Sequence, residues 1–209
     1  SDYGTMSLRD VAAPAIALAR DGYPVLPGLA RAIAAVSPLF VEEWPTSAAV
    51  YCPGGKAPAA GARHTNPALA ATYERVVRES EAAGGDRVRQ IEAARRAFYE
   101  GFVAEAIDRF VREPVIDSSG RRHAGVITAH DVATWRATYE EPFHVDYHGW
   151  RVFKAGPWCQ GPVLLQALQI LAGTDLASHD VVGPDFVHLV VEAMKLALAD
   201  REAWYGDPK

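Results

Sequence analysis

Apolar residues recur at helical spacing over much of the chain. Leu8, Val11, Ala15 and Leu18 follow at intervals of three and four behind Ser7-Leu8-Arg9-Asp10, an N-cap with an acid three places on. Pro14 inside this stretch predicts a kink or restart, because proline removes a backbone donor, and Asp21-Gly22 predicts its end. A second helix is predicted from Pro27 through Leu29, Ile33 and Val36. Asn66-Pro67 marks the start of another, carried by Leu69, Tyr73, Val76 and Val77 and stopped at Gly84-Gly85. Residues 86–112 read as one long amphipathic segment bearing Val88, Ile91, Ala94, Phe98, Phe102, Ala106 and Phe110. Thr128-Ala129-His130-Asp131 has the form of a capping box and opens a short helix through Trp135. An apolar helix is predicted over 163–171. The last runs over about 184–204, with Phe186, Val190, Ala193 and Ala197 on one stripe and charge opposite.

Alternation with a period of two is persuasive at one place. Phe143-His144-Val145-Asp146-Tyr147 and Trp150-Arg151-Val152-Phe153 flank His148-Gly149, the two-residue signature of a type I′ hairpin. Pro45, Pro53, Gly54, Gly55, Pro58 and Gly61 predict loop over 44–66, with at most one short strand at 48–51. Asp117-Ser118-Ser119-Gly120 is a turn, and Gly156-Pro157-Trp158-Cys159-Gln160-Gly161-Pro162 a rigid loop. The expected fold class is therefore α-rich α+β: a single, mostly helical region over 1–209 with one β-hairpin. The elements do not alternate as βαβ units, which excludes a doubly wound sheet.

Composition narrows the field. With 49% apolar residues, 14 prolines and 17 glycines in 209, the chain can build a core and is not of low complexity. Alanine supplies 37 residues and arginine 17 of the 21 basic ones, both strong helix formers. No internal repeat of fixed period is visible. No run approaches 18 apolar residues, so no transmembrane helix is expected. A net charge of −5 without a basic block argues against a nucleic-acid partner. Cys52 and Cys159 cannot make a disulfide framework or a four-cysteine zinc site. Ser1 at one end and Gly206-Asp207-Pro208-Lys209 directly behind a helix at the other read as cuts inside a longer protein, which leaves localisation unassigned.

The candidate chemistry is sparse. His64, His123, His130, His144, His148, His179 and His188 are scattered and show no i, i+4 pair of the zinc-helix kind, so they read as surface residues; His144 and His148 could approach across the hairpin. Cys159 stands in a turn before a helix, where a thiol nucleophile could sit, but no histidine is spaced to serve as its base and the residue reads as a loop filler. His188, Glu192 and Lys195 share one helix face, Glu192 and Lys195 as an ion pair. Asp200, Arg201 and Asp207 suggest a buried carboxylate–guanidinium network, structural in role, that orients the segment after the helix. No phosphate loop or nucleophile elbow occurs. The residues thus nominate no catalytic residue, no cofactor or cofactor-binding residue, and no metal ligand.

Several ordered blocks resemble the γ-glutamyltransferase family. They are Ala13-Pro14-Ala15-Ile16-Ala17-Leu18-Ala19 with Asp21-Gly22, then Asn66-Pro67-Ala68-Leu69-Ala70-Ala71-Thr72, then Ala97-Phe98-Tyr99-Glu100-Gly101, read as a turn. Gly125-Val126-Ile127-Thr128 with Asp131 follows, then Gly156 to Gly161, Leu164-Leu165-Gln166-Ala167-Leu168, Glu192 to Arg201, and Tyr205-Gly206-Asp207-Pro208. The resemblance implies a precursor of the N-terminal-nucleophile hydrolases, with an αββα sandwich assembled from two subunits. It implies that a threonine opening the small subunit cleaves the chain before itself and then attacks a γ-glutamyl or related amide, its own amine serving as base. On that resemblance the chain covers the middle and rear of the large subunit. The nucleophile, and the arginine that grips the substrate carboxylate, lie outside it. Pro157-Trp158-Cys159-Gln160-Gly161 departs from the Pro-Ser-Ser-Gly-Gly type of many transpeptidases and leans towards amidohydrolase- and acylase-like members. The implied partners are the small subunit of the same precursor and a small amide or γ-glutamyl substrate. A non-catalytic helical scaffold module is the alternative, and a thiol enzyme using Cys159 a third reading. Apolar surface and open hairpin edges left exposed also point to a homo-oligomer of the chain.

Overall fold

The computed structural model describes residues 3–117 and 119–206. The chain divides into two compact units, 1–135 and 136–209.

The first unit begins with α1 (Leu8–Asp21), capped by Ser7, whose hydroxyl accepts the Asp10 amide at 3.1 Å. The helix is continuous through Pro14, so the expected restart does not occur. One bond lost at proline is offset by burying Ile16 and Ala19 against Ala70 and Val77 of α4 (Pro67–Ala82). Gly22 ends α1 at φ 90°, and a Cβ there would lie 2.6 Å from Arg63 Cγ, so only glycine admits both the turn and the passing strand. That strand, β2 (Arg63–His64), pairs antiparallel with β1 (Tyr23–Pro24). Two-residue ladders carry no periodicity, so the pair leaves no mark in the sequence pattern.

The helical pattern departs from expectation at two further places. The stretch expected as loop, with at most one short strand at 48–51, contains α3 (Pro45–Tyr51), which follows α2 (Pro27–Glu43). Pro45 sits at the first helical position, where its missing N–H costs nothing, and the Phe40 ring packs at 5.8 Å against both Trp44 and Tyr51. The long segment expected over 86–112 is two helices, α5 (Arg87–Tyr99) and α6 (Phe102–Val111). They break at Glu100-Gly101, inside the block that the family resemblance marks as a turn, and Arg95 clamps the corner by bonding Glu92 and Glu100 at 2.7 and 2.9 Å. Both helices keep an amphipathic stripe, which hid the break.

Asn66 caps α4 as expected, accepting the Leu69 amide at 3.0 Å. Ser80, 1% exposed, ties α4 to α5 by donating to the Gln90 carbonyl at 2.7 Å. The pair β3 (Val115–Ile116) and β4 (Arg122–His123) closes around the expected turn, of which Ser118 lies outside the described residues. The capping box at Thr128 and Asp131 opens α7 (Ala129–Thr134).

The second unit holds the expected hairpin, β5 (Phe143–Tyr147) with β6 (Trp150–Lys154), joined by His148 and Gly149 at φ 46° and 83°. Positive φ at both positions is the type I′ requirement. Buried Val145 faces α8 (Gly161–Ala172), which packs on α9 (Pro184–Trp204) through Val163, Ala167 and Ala197. The β5–β6 pair is a two-stranded sheet. Phe143, Trp150 and Phe153 are exposed, as is Phe110 of the first unit, so apolar surface stands open as expected.

Candidate functional site

The best-organised polar group in the second unit lies where α8 meets the end of α9. Alanine makes this possible. Ala197 is 0% exposed and Ala193 2%, so the helices approach closely, and Asp200, one turn on, comes within reach of α8. Gln166 donates through Nε2 to the Asp200 carboxylate, and its Oε1 accepts the Tyr205 hydroxyl at 3.2 Å. The amide is thereby fixed in one orientation by an acceptor on one side and a donor on the other. All three side chains are half-buried. Burial first, and then the Asp200 carboxylate, push the Tyr205 phenol up from its ordinary value, so it stays a neutral hydrogen-bond donor.

Beside it, Arg201 donates through Nη1 to Gln160 Oε1 at 2.9 Å and also pairs with Glu202. Among the described residues Asp200 and Arg201 do not pair with each other as expected from sequence: Asp200 turns to Gln166 within α8, and Arg201 to Gln160 at its head and to Glu202. Asp207, its third expected member, lies outside the described residues. Gln166, Gln169, Tyr205, Phe143, His144 and Leu165 border a cleft of about 440 Å³ that Pro157 and Pro162 complete. Sequence reasoning missed Gln160, Gln166 and Tyr205 as a group. The available signal was that all three stand inside blocks carrying the family resemblance.

The singled-out residues are dispersed. Cys159 is half-buried, and its Sγ accepts the Gly161 amide at 3.1 Å; among the described residues no histidine bonds to it. Gly161 itself is required, since a Cβ there would lie 2.4 Å from the Ala155 carbonyl oxygen. Lys195 donates to Glu192 at 2.8 Å and holds that carboxyl below its usual range. His144 packs on Phe153 and His148 on Tyr147, each with its own aromatic neighbour. His123 bonds the Asp117 carboxylate at 2.6 Å. His64 departs from the surface reading: it is buried, stacked on Tyr51 and edge-on to Tyr23. Among the described residues, no three His, Cys, Asp or Glu gather as a metal site.

The arrangement positions chain segments and shapes a cleft. Its chemistry has to be sought in relatives. The model of the gamma-glutamyltranspeptidase family matches residues 1–209. The chain belongs to the gamma-glutamyltranspeptidase family. Among family proteins, the glutathione hydrolase proenzyme of Escherichia coli K12 is 29% identical over 207 residues, which are 99% of this chain and 32% of that protein. The acylase ACY 1 proenzyme of Pseudomonas sp. SE83 is 30% identical over 99% of this chain and 33% of its own length. The solved structure of LmbA2991HD superposes with a TM-score of 0.93 at 50% identity, covering 100% of this chain and 35% of that one. The chain thus spans about a third of the length of the curated relatives it matches. Near-equal identity to a glutathione hydrolase and an acylase does not separate the two branches of the family.

Proposed function

We propose that this chain is the helical part of the large subunit of an amide-cleaving enzyme that hydrolyses or transfers a γ-glutamyl or related acyl group. The observation that carries the reading is the family match over every residue of the chain, with relatives named as glutathione hydrolase and acylase proenzymes. The precursor is cut into two subunits, and a threonine at the head of the small one, outside this chain, is the nucleophile. Its hydroxyl attacks the amide carbonyl, its own α-amine takes the proton, and an acyl-enzyme passes the acyl group to water or an amine. The chain's own share is to pack on the rest of an αββα sandwich and to form one wall of the substrate cleft. A free-standing scaffold module is disfavoured, because the relatives are enzymes. The unpaired outer edges of the β5–β6 hairpin and its exposed aromatics support self-association of the isolated chain.

Expression of the full-length precursor tests this. It is expected to cut itself into two fragments and to release p-nitroaniline from γ-glutamyl-p-nitroanilide or an acyl anilide, while residues 1–209 alone release none. A precursor that stays intact and inactive on both, or activity from the isolated chain, would overturn the reading.

A further inference from the structure

The cleft between α1 and α4 has no role in that reading. On α4, Glu74, Arg78 and Glu81 stand at spacings of four and three, where Arg78 would ordinarily pair with a glutamate of its own helix. Both glutamates turn to α1 instead. Glu81 takes Arg9 through Nε at 2.6 Å and Nη2 at 2.5 Å, and Glu74 takes Nη1 of Arg20 at 3.0 Å. Arg20 also reaches Asp21 through Nε at 3.2 Å. Arg78 is left with no ion pair or hydrogen bond among the described residues. Arg9, Arg20, Arg78, Glu74, Ala13 and Ile16 together line a hollow of about 370 Å³.

We propose that this cleft is a binding site for a small organic phosphate, with Arg78 as its main ligand. Donor accounting carries the inference. A guanidinium offers five N–H groups in a fixed fork. On exposed Arg78 none of the five bonds to a protein group, and neither do those on Nη1 of Arg9 and Nη2 of Arg20, whose carboxylates hold them in place. The three cations are formally balanced by Glu74, Glu81 and Asp21, so net charge does not select the ligand. A surplus of donors not bonded to protein does, and it favours a compact group with three acceptor oxygens over a carboxylate with two. Ala13 and buried Ile16 at the lining give the organic part an apolar surface.

Equilibrium dialysis of the full-length precursor with phenyl phosphate, inorganic phosphate and phenol at low ionic strength tests the proposal. Phenyl phosphate is expected to bind saturably, inorganic phosphate more weakly, and phenol not at all. Arg78→Gln is expected to weaken phenyl phosphate about tenfold, and Arg78→Lys by less, since it keeps the charge and loses the fork. Arg31→Gln on α2 should leave binding unchanged, and unaltered melting of the Arg78 variants would show that they fold. Undiminished binding by Arg78→Gln, or no saturable binding to the full-length protein, would overturn the site.

Discussion

The two units solve the same problem with different materials. The first joins α1 to α4 by a narrow apolar seam, Ile16 and Ala19 on Ala70 and Val77, bordered by the solvent-exposed ion pairs Arg9–Glu81 and Arg20–Glu74. A chain of rings, Tyr23, His64, Tyr51, Phe40 and Trp44, then runs from β1 to α2, and the Trp44 indole donates to the Ile116 carbonyl at 2.8 Å. The second unit instead presses α8 onto α9 through Val163, Ala167 and Ala197 and sets a half-buried amide, carboxylate and phenol beside that contact. Exposed pairs are screened by water and contribute little, whereas a half-buried polar group left without its partner is costly. The same number of polar contacts should therefore weigh more in the second unit than in the first.

Experiments can break or sharpen this contrast. The largest effect is expected from Leu165→Ala, which opens a cavity in the second unit: a loss of about 2–5 kcal/mol, read from the denaturant midpoint. Gln166→Leu leaves Asp200 without its amide donor and Tyr205 without its acceptor, and should cost about 1–3 kcal/mol. If it costs nothing, the contrast fails. Asn66→Ala removes the α4 cap and should cost about 0.5–2 kcal/mol in the first unit.

Acid gives a smaller and more local test. Hydrogen bonds from Ser119, then His123, hold the Asp117 carboxyl down at about 2. Because its folded value lies below the unfolded one near 3.9, the stabilisation is present above about pH 4 and is lost as pH falls towards 2. Asp117→Asn should remove that part of the acid dependence, as followed by the amide shifts of β3 and β4. The least effect is expected from Arg9→Ala with Glu81→Ala in a double-mutant cycle, whose coupling should fade with added salt.

Much of the local architecture is legible without the fold. Ser7, Asn66 and the Thr128–Asp131 box each mark a helix start in the place observed, because a cap is a contract between residues three apart. His148-Gly149 sets the hairpin for the same reason, and Pro184 and Trp204 bound the last helix as expected. Blocks of family resemblance spread along the whole chain also carried the assignment of the chain to its family.

What was not legible depends on partners far apart in sequence. Pro14 does not end α1, because Ile16 and Ala19 just beyond it pack on α4, 50 and more residues away. A proline- and glycine-rich stretch becomes α3 because Phe40 packs on Trp44 and Tyr51. Asp200 rejects its neighbour Arg201 for Gln166, 34 positions back, since the close approach at Ala197 brings the amide to it. Local chemistry determined where elements begin, end and turn, and the order of motifs determined the family. Only the tertiary structure decided which polar groups meet, because a charge goes to whichever partner packing delivers, and sequence spacing does not record that choice.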